Sequence, residues 1–127
     1  MTCINSFVHP LMDSYFTRLE QRFAGLGVRA PVYITANNGG TVSLATARAR
    51  PVDTVLSGPA SGVMAAAFTG RVAGRPDLIT YDMGGTSTDV ALIRDAQPAV
   101  SNEIEIEYGM PIHVPMVDVR TVGAGGG

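Results

Sequence analysis

Two apolar runs, Leu78-Ile79-Thr80-Tyr81 and Val90-Ala91-Leu92-Ile93, flank the segment Asp82-Met83-Gly84-Gly85-Thr86-Ser87-Thr88-Asp89. A chain that leaves one short hydrophobic run, crosses a glycine pair and enters another is constrained to fold back as a hairpin. Gly84 and Gly85 lack a Cβ and are free to take φ > 0, so a bulky anion can come close to the turn's backbone N–H groups. Thr86, Ser87 and Thr88 add hydroxyls. Asp82, at the strand end, is placed to hold a hydrated cation or to orient a water beside that anion. This is the layout of a phosphate-binding hairpin. A purely structural turn uses the same residues, and from the motif alone both readings stay open.

The remainder predicts alternating helix and strand. Over residues 10–24, Leu11, Tyr15, Leu19 and Phe23 recur at i, i+4, i+8 and i+12, with Met12, Phe16 and Leu26 widening the stripe. Pro10 suits a first helical turn, and Gly25 and Gly27 supply a stop. Residues 31–35 read as a strand, Asn37-Asn38-Gly39-Gly40 as a loop, 43–49 as a short helix and 52–56 as another strand. Ser57 is placed to cap a small-residue helix over 59–72, with Pro59 in its first turn. Gly62 and the alanines around it would let that helix lie close on a sheet. After the hairpin, Ile104 and Ile106 alternate with Glu103, Glu105 and Glu107 inside a strand over 99–108. Further short strands are expected at 112–114 and 116–119. The fold class is therefore α/β: a mixed sheet with an antiparallel hairpin portion.

Several functions are disfavoured by what the chain lacks. Its 127 residues suit one domain with a modest core, and 46% apolar against 16% charged residues fits a globular fold. A formal charge of −2 with no basic aromatic stripe leaves no footprint for nucleic acid. Every basic residue is arginine, so a lysine Schiff base and a Walker-type G-x-x-x-x-G-K-[ST] loop are excluded. Cys3 stands alone, and His9 and His113 have no Cys or His at metal-ligand spacing. Ser57 lacks the G-x-S-x-G surroundings of a nucleophile elbow. No apolar stretch is long enough to span a membrane and no signal peptide is visible, so a cytoplasmic protein without membrane partners is expected.

Four ordered segments carry a resemblance: Asn38-Gly39-Gly40, Leu56-Ser57-Gly58-Pro59-Ala60, Tyr81 through Val90, and Val122-Gly123-Ala124-Gly125-Gly126-Gly127. In order and spacing they resemble the hydantoinase A / 5-oxoprolinase family, over essentially the whole chain. The resemblance implies a ribonuclease-H-like fold, similar to sugar kinases, actin and heat-shock chaperones, in which two domains close over ATP. It implies that residues 82–89 form the second domain's phosphate hairpin, with residues 1–50 as helix and linker and 51–127 as the hairpin portion. The family's first hairpin and its later segments have no counterpart here. Because a glycine-rich loop normally links two ordered elements, the chain is expected to be a central fragment truncated at both ends, inactive alone.

The implied reaction is ATP-dependent opening of a cyclic amide such as a hydantoin or 5-oxoproline, through a phosphorylated intermediate. The implied cofactors are ATP and Mg2+, and a hydantoinase B-type subunit is a possible partner. Gly84, Gly85 and Thr86 are candidates for the β/γ-phosphates, and Gly123, Gly125 and Gly126 for close approach to the nucleotide. Asp82 is a candidate for catalysis and for the metal. Asp89 is a candidate for catalysis or for bracing the turn. Arg120 follows Asp118-Val119 where many relatives carry His, which puts any metal or substrate role of that position in doubt. Acetone or acetophenone carboxylase subunits share these motifs and are the alternative. So are a non-catalytic fragment that needs a partner chain and a degraded reading frame with no role.

Overall fold

The computed structural model describes residues 2–102, 104–105, 111–112 and 115–127. Its elements are α1 (Thr2–Gly25), β1 (Tyr33–Thr35), β2 (Thr41–Ser43), α2 (Leu44–Ala49), a 3-10 turn (Pro51–Thr54) and α3 (Ser57–Val72). There follow β3 (Leu78–Met83), β4 (Thr88–Arg94), β5 (Gln97–Pro98), β6 (Val100–Ser101), β7 (Ile104–Glu105), β8 (Pro111–Ile112), β9 (Met116–Val117) and β10 (Val119–Val122). The fold is α/β. The expected mixed sheet is corrected, because every strand pairing among the described residues is antiparallel. The principal sheet runs β10-β4-β3, with β5 also on β4. Ile106, Tyr108, Glu103, Glu107, His113 and Val114, which carried parts of the expected strands, lie outside the described residues.

Strand alternation sorts the sheet into two faces. Leu78, Thr80 and Asp82 on β3 stand opposite Ile93, Ala91 and Asp89 on β4, so these six share one face. Helix α3 packs on it through Ala60, Val63, Ala67 and Gly70, and Ala60, Val63 and Ala67 form one buried cluster with Ala91, Ile93 and Val117. The small side chains bring helix and sheet together, but Gly62 is not the close-approach residue: a Cβ there would meet nothing within 4 Å. Gly70 has that role. A Cβ on it would run into the Leu78 side chain and lie 2.6 Å from the Arg75 carbonyl oxygen. On the opposite face Ile79 and Tyr81 remain 72% and 66% exposed.

A second cluster joins Phe16 of α1 to Leu44 and Ala47 of α2, with Met12, Leu19, Ile34 and Val42 against it. The buried stripe of α1 is therefore rotated from the expected one, and Leu11 and Tyr15 face outward. Contact with α2 decides this. Arg48 pairs with Asp13 at 3.0 Å and Glu20 at 2.8 Å, fixing α2 on the side of α1 that carries those carboxylates. Helix α1 also begins well before Pro10, which lies in its interior. Pro10 and Ser6 are both exposed, so the Ser6 carbonyl that Pro10 cannot satisfy is left to water. The early turns are tied down by Asn5, whose side-chain oxygen accepts from the Val52 N–H at 3.2 Å.

The strand expected at 52–56 is a 3-10 turn instead. Pro51 sets a helical φ at its start, Thr54 donates to the Pro51 carbonyl, and Leu56 then adopts a left-handed φ of 61°. Leu56, not Ser57, occupies the N-cap of α3, and no side chain caps that end. Asn37 ties the 3-10 turn to the cluster under α3. Its N–H donates to Asp53 O at 2.7 Å, its amide to Val52 O at 3.3 Å, and its carbonyl accepts from Val117 N–H at 3.0 Å.

Candidate functional site

The hairpin between β3 and β4 turns through Gly84, Gly85, Thr86 and Ser87. Its register pairs Met83 with Thr88 and Asp82 with Asp89, which puts two carboxylates side by side at the base of the turn. The Gly84 N–H donates to the Ser87 carbonyl at 2.8 Å and is thereby occupied within the turn. The N–H groups of Gly85, Thr86 and Ser87 have no acceptor among the described residues, and Gly85 and Thr86 are exposed.

The glycines differ from expectation in one respect. Neither Gly84 nor Gly85 has a positive φ. A Cβ on Gly85 would meet nothing within 4 Å, and one on Gly84 would meet only the Ser87 carbonyl oxygen, at 3.5 Å. Backbone conformation and packing therefore both permit a side chain at position 85. What its absence leaves is open space beside two unpaired amides.

The segment 123–127 folds onto this turn. Gly126 N–H donates to Gly84 O at 2.9 Å and Gly127 N–H to Gly85 O at 3.1 Å. Thr88, buried at 3% exposure, donates its hydroxyl to the Ala124 carbonyl. The N–H groups of Gly123 and Gly125 have no acceptor among the described residues. The glycines named from the sequence are thus gathered at one place, although 84–86 and 123–126 lie on opposite sides of a long excursion. This tie left no local signal in the sequence.

The two carboxylates are held differently. Asp89 is half-buried and accepts from the Thr121 hydroxyl at 2.6 Å. Asp82 is exposed, with no hydrogen-bond partner among the described residues. Both line a cavity of about 340 Å³ with Pro59, Val63, Leu78 and Thr80, between the start of α3 and the sheet. Side-chain oxygens of this kind suit a hard divalent cation. Arg120 sits one strand away, exposed and paired with Asp118 at 3.0 Å. Asn38 turns back on its own loop, its side-chain oxygen accepting from Gly40 N–H. The Ser57 carbonyl accepts from the Ser61 hydroxyl.

An α/β chain in which a glycine hairpin presents unpaired amides above paired carboxylates is, by class, a candidate phosphate-binding unit. The hydantoinase/oxoprolinase family model matches residues 1–127, and the chain belongs to that family. It is 36% identical over 127 residues to caprolactamase subunit alpha of Pseudomonas jessenii, a match covering 99% of this chain and 18% of that protein. The crystal structure of the ATP-dependent caprolactamase from the same organism superposes with a TM-score of 0.82 at 35% identity, over 98% of this chain and 18% of the other. A nucleotide-free acetone carboxylase, studied for ATP-dependent acetone carboxylation, gives a TM-score of 0.78 at 32% identity, over 88% and 15%. The chain thus spans about a fifth or less of the length of these relatives. Among the described residues no helix is long and apolar enough to cross a membrane.

Proposed function

We propose that residues 84–87 bind the phosphates of ATP in an enzyme that opens a cyclic amide. The observation that carries this is the bare Cα of Gly85, which neither its φ nor its neighbours require. Two adjacent unpaired amides, Gly85 and Thr86, with the Thr86 hydroxyl, form a short anion-binding concavity. Hydrogen bonds to a charged acceptor contribute about 1.5–3 kcal/mol each.

Asp82 and Asp89 would repel a phosphate unless a cation stands between. That supports Mg2+ as the companion ion, with Asp82 as the free ligand and Asp89 held in place by Thr121. ATP supplies the activating phosphoryl group for a resonance-stabilised ring amide. The protein's share is to hold the phosphates, place the charge and orient water at Asp82. A ribonuclease-H-like arrangement, with this hairpin facing a second one across a nucleotide, fits the family membership. So does the division into helix and linker at 1–50 and hairpin portion at 51–127. The nucleotide-contact roles of Gly123, Gly125 and Gly126 belong to the same proposal, as does a hydantoinase B-type partner subunit.

The cyclic-amide reading is favoured over a carboxylase by the fuller superposition on caprolactamase, 98% of the chain against 88%. The test is ATP hydrolysis by the protein carrying this segment, stimulated either by hydantoin, 5-oxoproline and caprolactam or by acetone with bicarbonate. Stimulation by a cyclic amide supports the proposal. Stimulation by acetone alone transfers the segment to the carboxylases.

A further inference from the structure

The geometry points to the segment 123–127 as the device that aims the Gly85 and Thr86 amides, with Gly125 as its positioning residue. A trans peptide is planar, and its C=O and the following N–H point in opposite directions. Gly84 O accepts from Gly126 N–H and Gly85 O from Gly127 N–H. Both peptide planes are therefore fixed by their carbonyl ends. The Gly85 and Thr86 N–H groups, at the other ends, are turned away from the segment that holds them.

The same bonds strengthen the amides as donors. A peptide whose carbonyl already accepts a hydrogen bond is polarised, by roughly 10–30% per bond. Two donors in succession are thus both oriented and polarised from behind, before any ligand arrives.

Gly125 makes this approach possible. A Cβ on it would run into the Gly85 carbonyl and lie 2.5 Å from Thr86 N. These are backbone atoms that cannot rotate aside. No such constraint acts on Gly123, where a Cβ would meet nothing within 4 Å. The requirement for glycine at 125 is therefore close stacking on the Gly85–Thr86 peptide plane. Thr88 anchors the contact from the opposite strand through the Ala124 carbonyl.

The functional meaning of this inference rests on the phosphate reading, but its structural content does not. The test is amide NMR of the 15N-labelled chain and of two variants, Gly125→Ala and Gly123→Ala, first alone and then titrated with ATP. Alone, Gly125→Ala should shift the Gly85 and Thr86 amides and speed hydrogen exchange at Gly126 and Gly127 about tenfold or more, the equivalent of one lost hydrogen bond. Gly123→Ala should leave all four unchanged, and the amides of buried Ala91 and Ile93 should hold in both variants. With ATP, Gly125→Ala should weaken binding about tenfold. Unchanged Gly85 and Thr86 amides in ligand-free Gly125→Ala would overturn the inference, as would equal effects of the two variants on the ligand-free amides. A shift in ligand-free Gly125→Ala combined with no response to ATP of the protein carrying this segment would leave the aiming device standing and remove the phosphate reading.

Discussion

Replacing Gly85 with alanine separates a structural glycine from a ligand-access glycine. The added methyl meets no atom within 4 Å, and φ at this position is not in the left-handed region. Nothing in the folded state resists the change, while the unfolded chain loses conformational freedom. The expected stability change is a gain of about 0.4–1 kcal/mol. For a chain of this size that raises Tm by roughly 1–5 °C. Phosphate binding should move the other way, because the methyl occupies the space beside the two unpaired amides. Loss of one hydrogen bond to a charged acceptor, about 1.5–3 kcal/mol, lowers affinity about 10- to 150-fold. Thermal melting followed by circular dichroism, paired with calorimetric ATP titration, measures both. A variant that melts several degrees lower with unchanged ATP affinity would refute the reasoning and make Gly85 a turn glycine.

Two further predictions test the framework that holds the hairpin. Ile93, at 0% exposure in the α3–sheet cluster, should cost about 2–5 kcal/mol when truncated to alanine. Ile79 on the opposite face, 72% exposed, should cost about 0.5 kcal/mol or less for the same change, and denaturant unfolding compares the two directly. Leu56 holds a left-handed φ of 61° that costs a branched side chain about 1–2 kcal/mol. Leu56→Gly should relieve that cost, offset by the glycine's own entropy, for a net gain of roughly 0.5–1 kcal/mol in the same assay.

The hairpin was legible because its signals are local. Two apolar runs, a glycine pair and a carboxylate at each strand end define β3, β4 and the turn without reference to anything distant. Helix α2 was legible for the same reason, since Ser43 caps it through a bond to Thr46 N–H. Where the expectation missed, a non-local contact had overruled a local rule. Pro10 reads as a helix start, yet the helix begins earlier because Asn5 is anchored on Val52 across the fold. Leu11 and Tyr15 match the helical period as well as Met12 and Phe16 do, and only the position of α2 selects between them. Residues 52–56 look like a strand by composition, but Pro51 and the Asn5 contact hold them in a 3-10 turn. Gly84 and Gly85 signalled the turn correctly; of the two properties expected of them, the left-handed backbone is absent and the space left by the missing Cβ is present. At the candidate site, Asp82, Asp89 and the turn amides could be named from the motif. The stacking of Gly125 on the Gly85–Thr86 plane could not, because its partner lies far away in sequence and glycine carries no pattern of its own.

The central claim, that Gly85 and Thr86 present their amides to phosphate, is tested most directly by titrating the 15N-labelled chain with ATP and, separately, with adenosine. The account predicts shifts concentrated at the Gly85 and Thr86 amides with ATP and none there with adenosine. Equal shifts with both ligands, or ATP-induced shifts that bypass this turn, would contradict it.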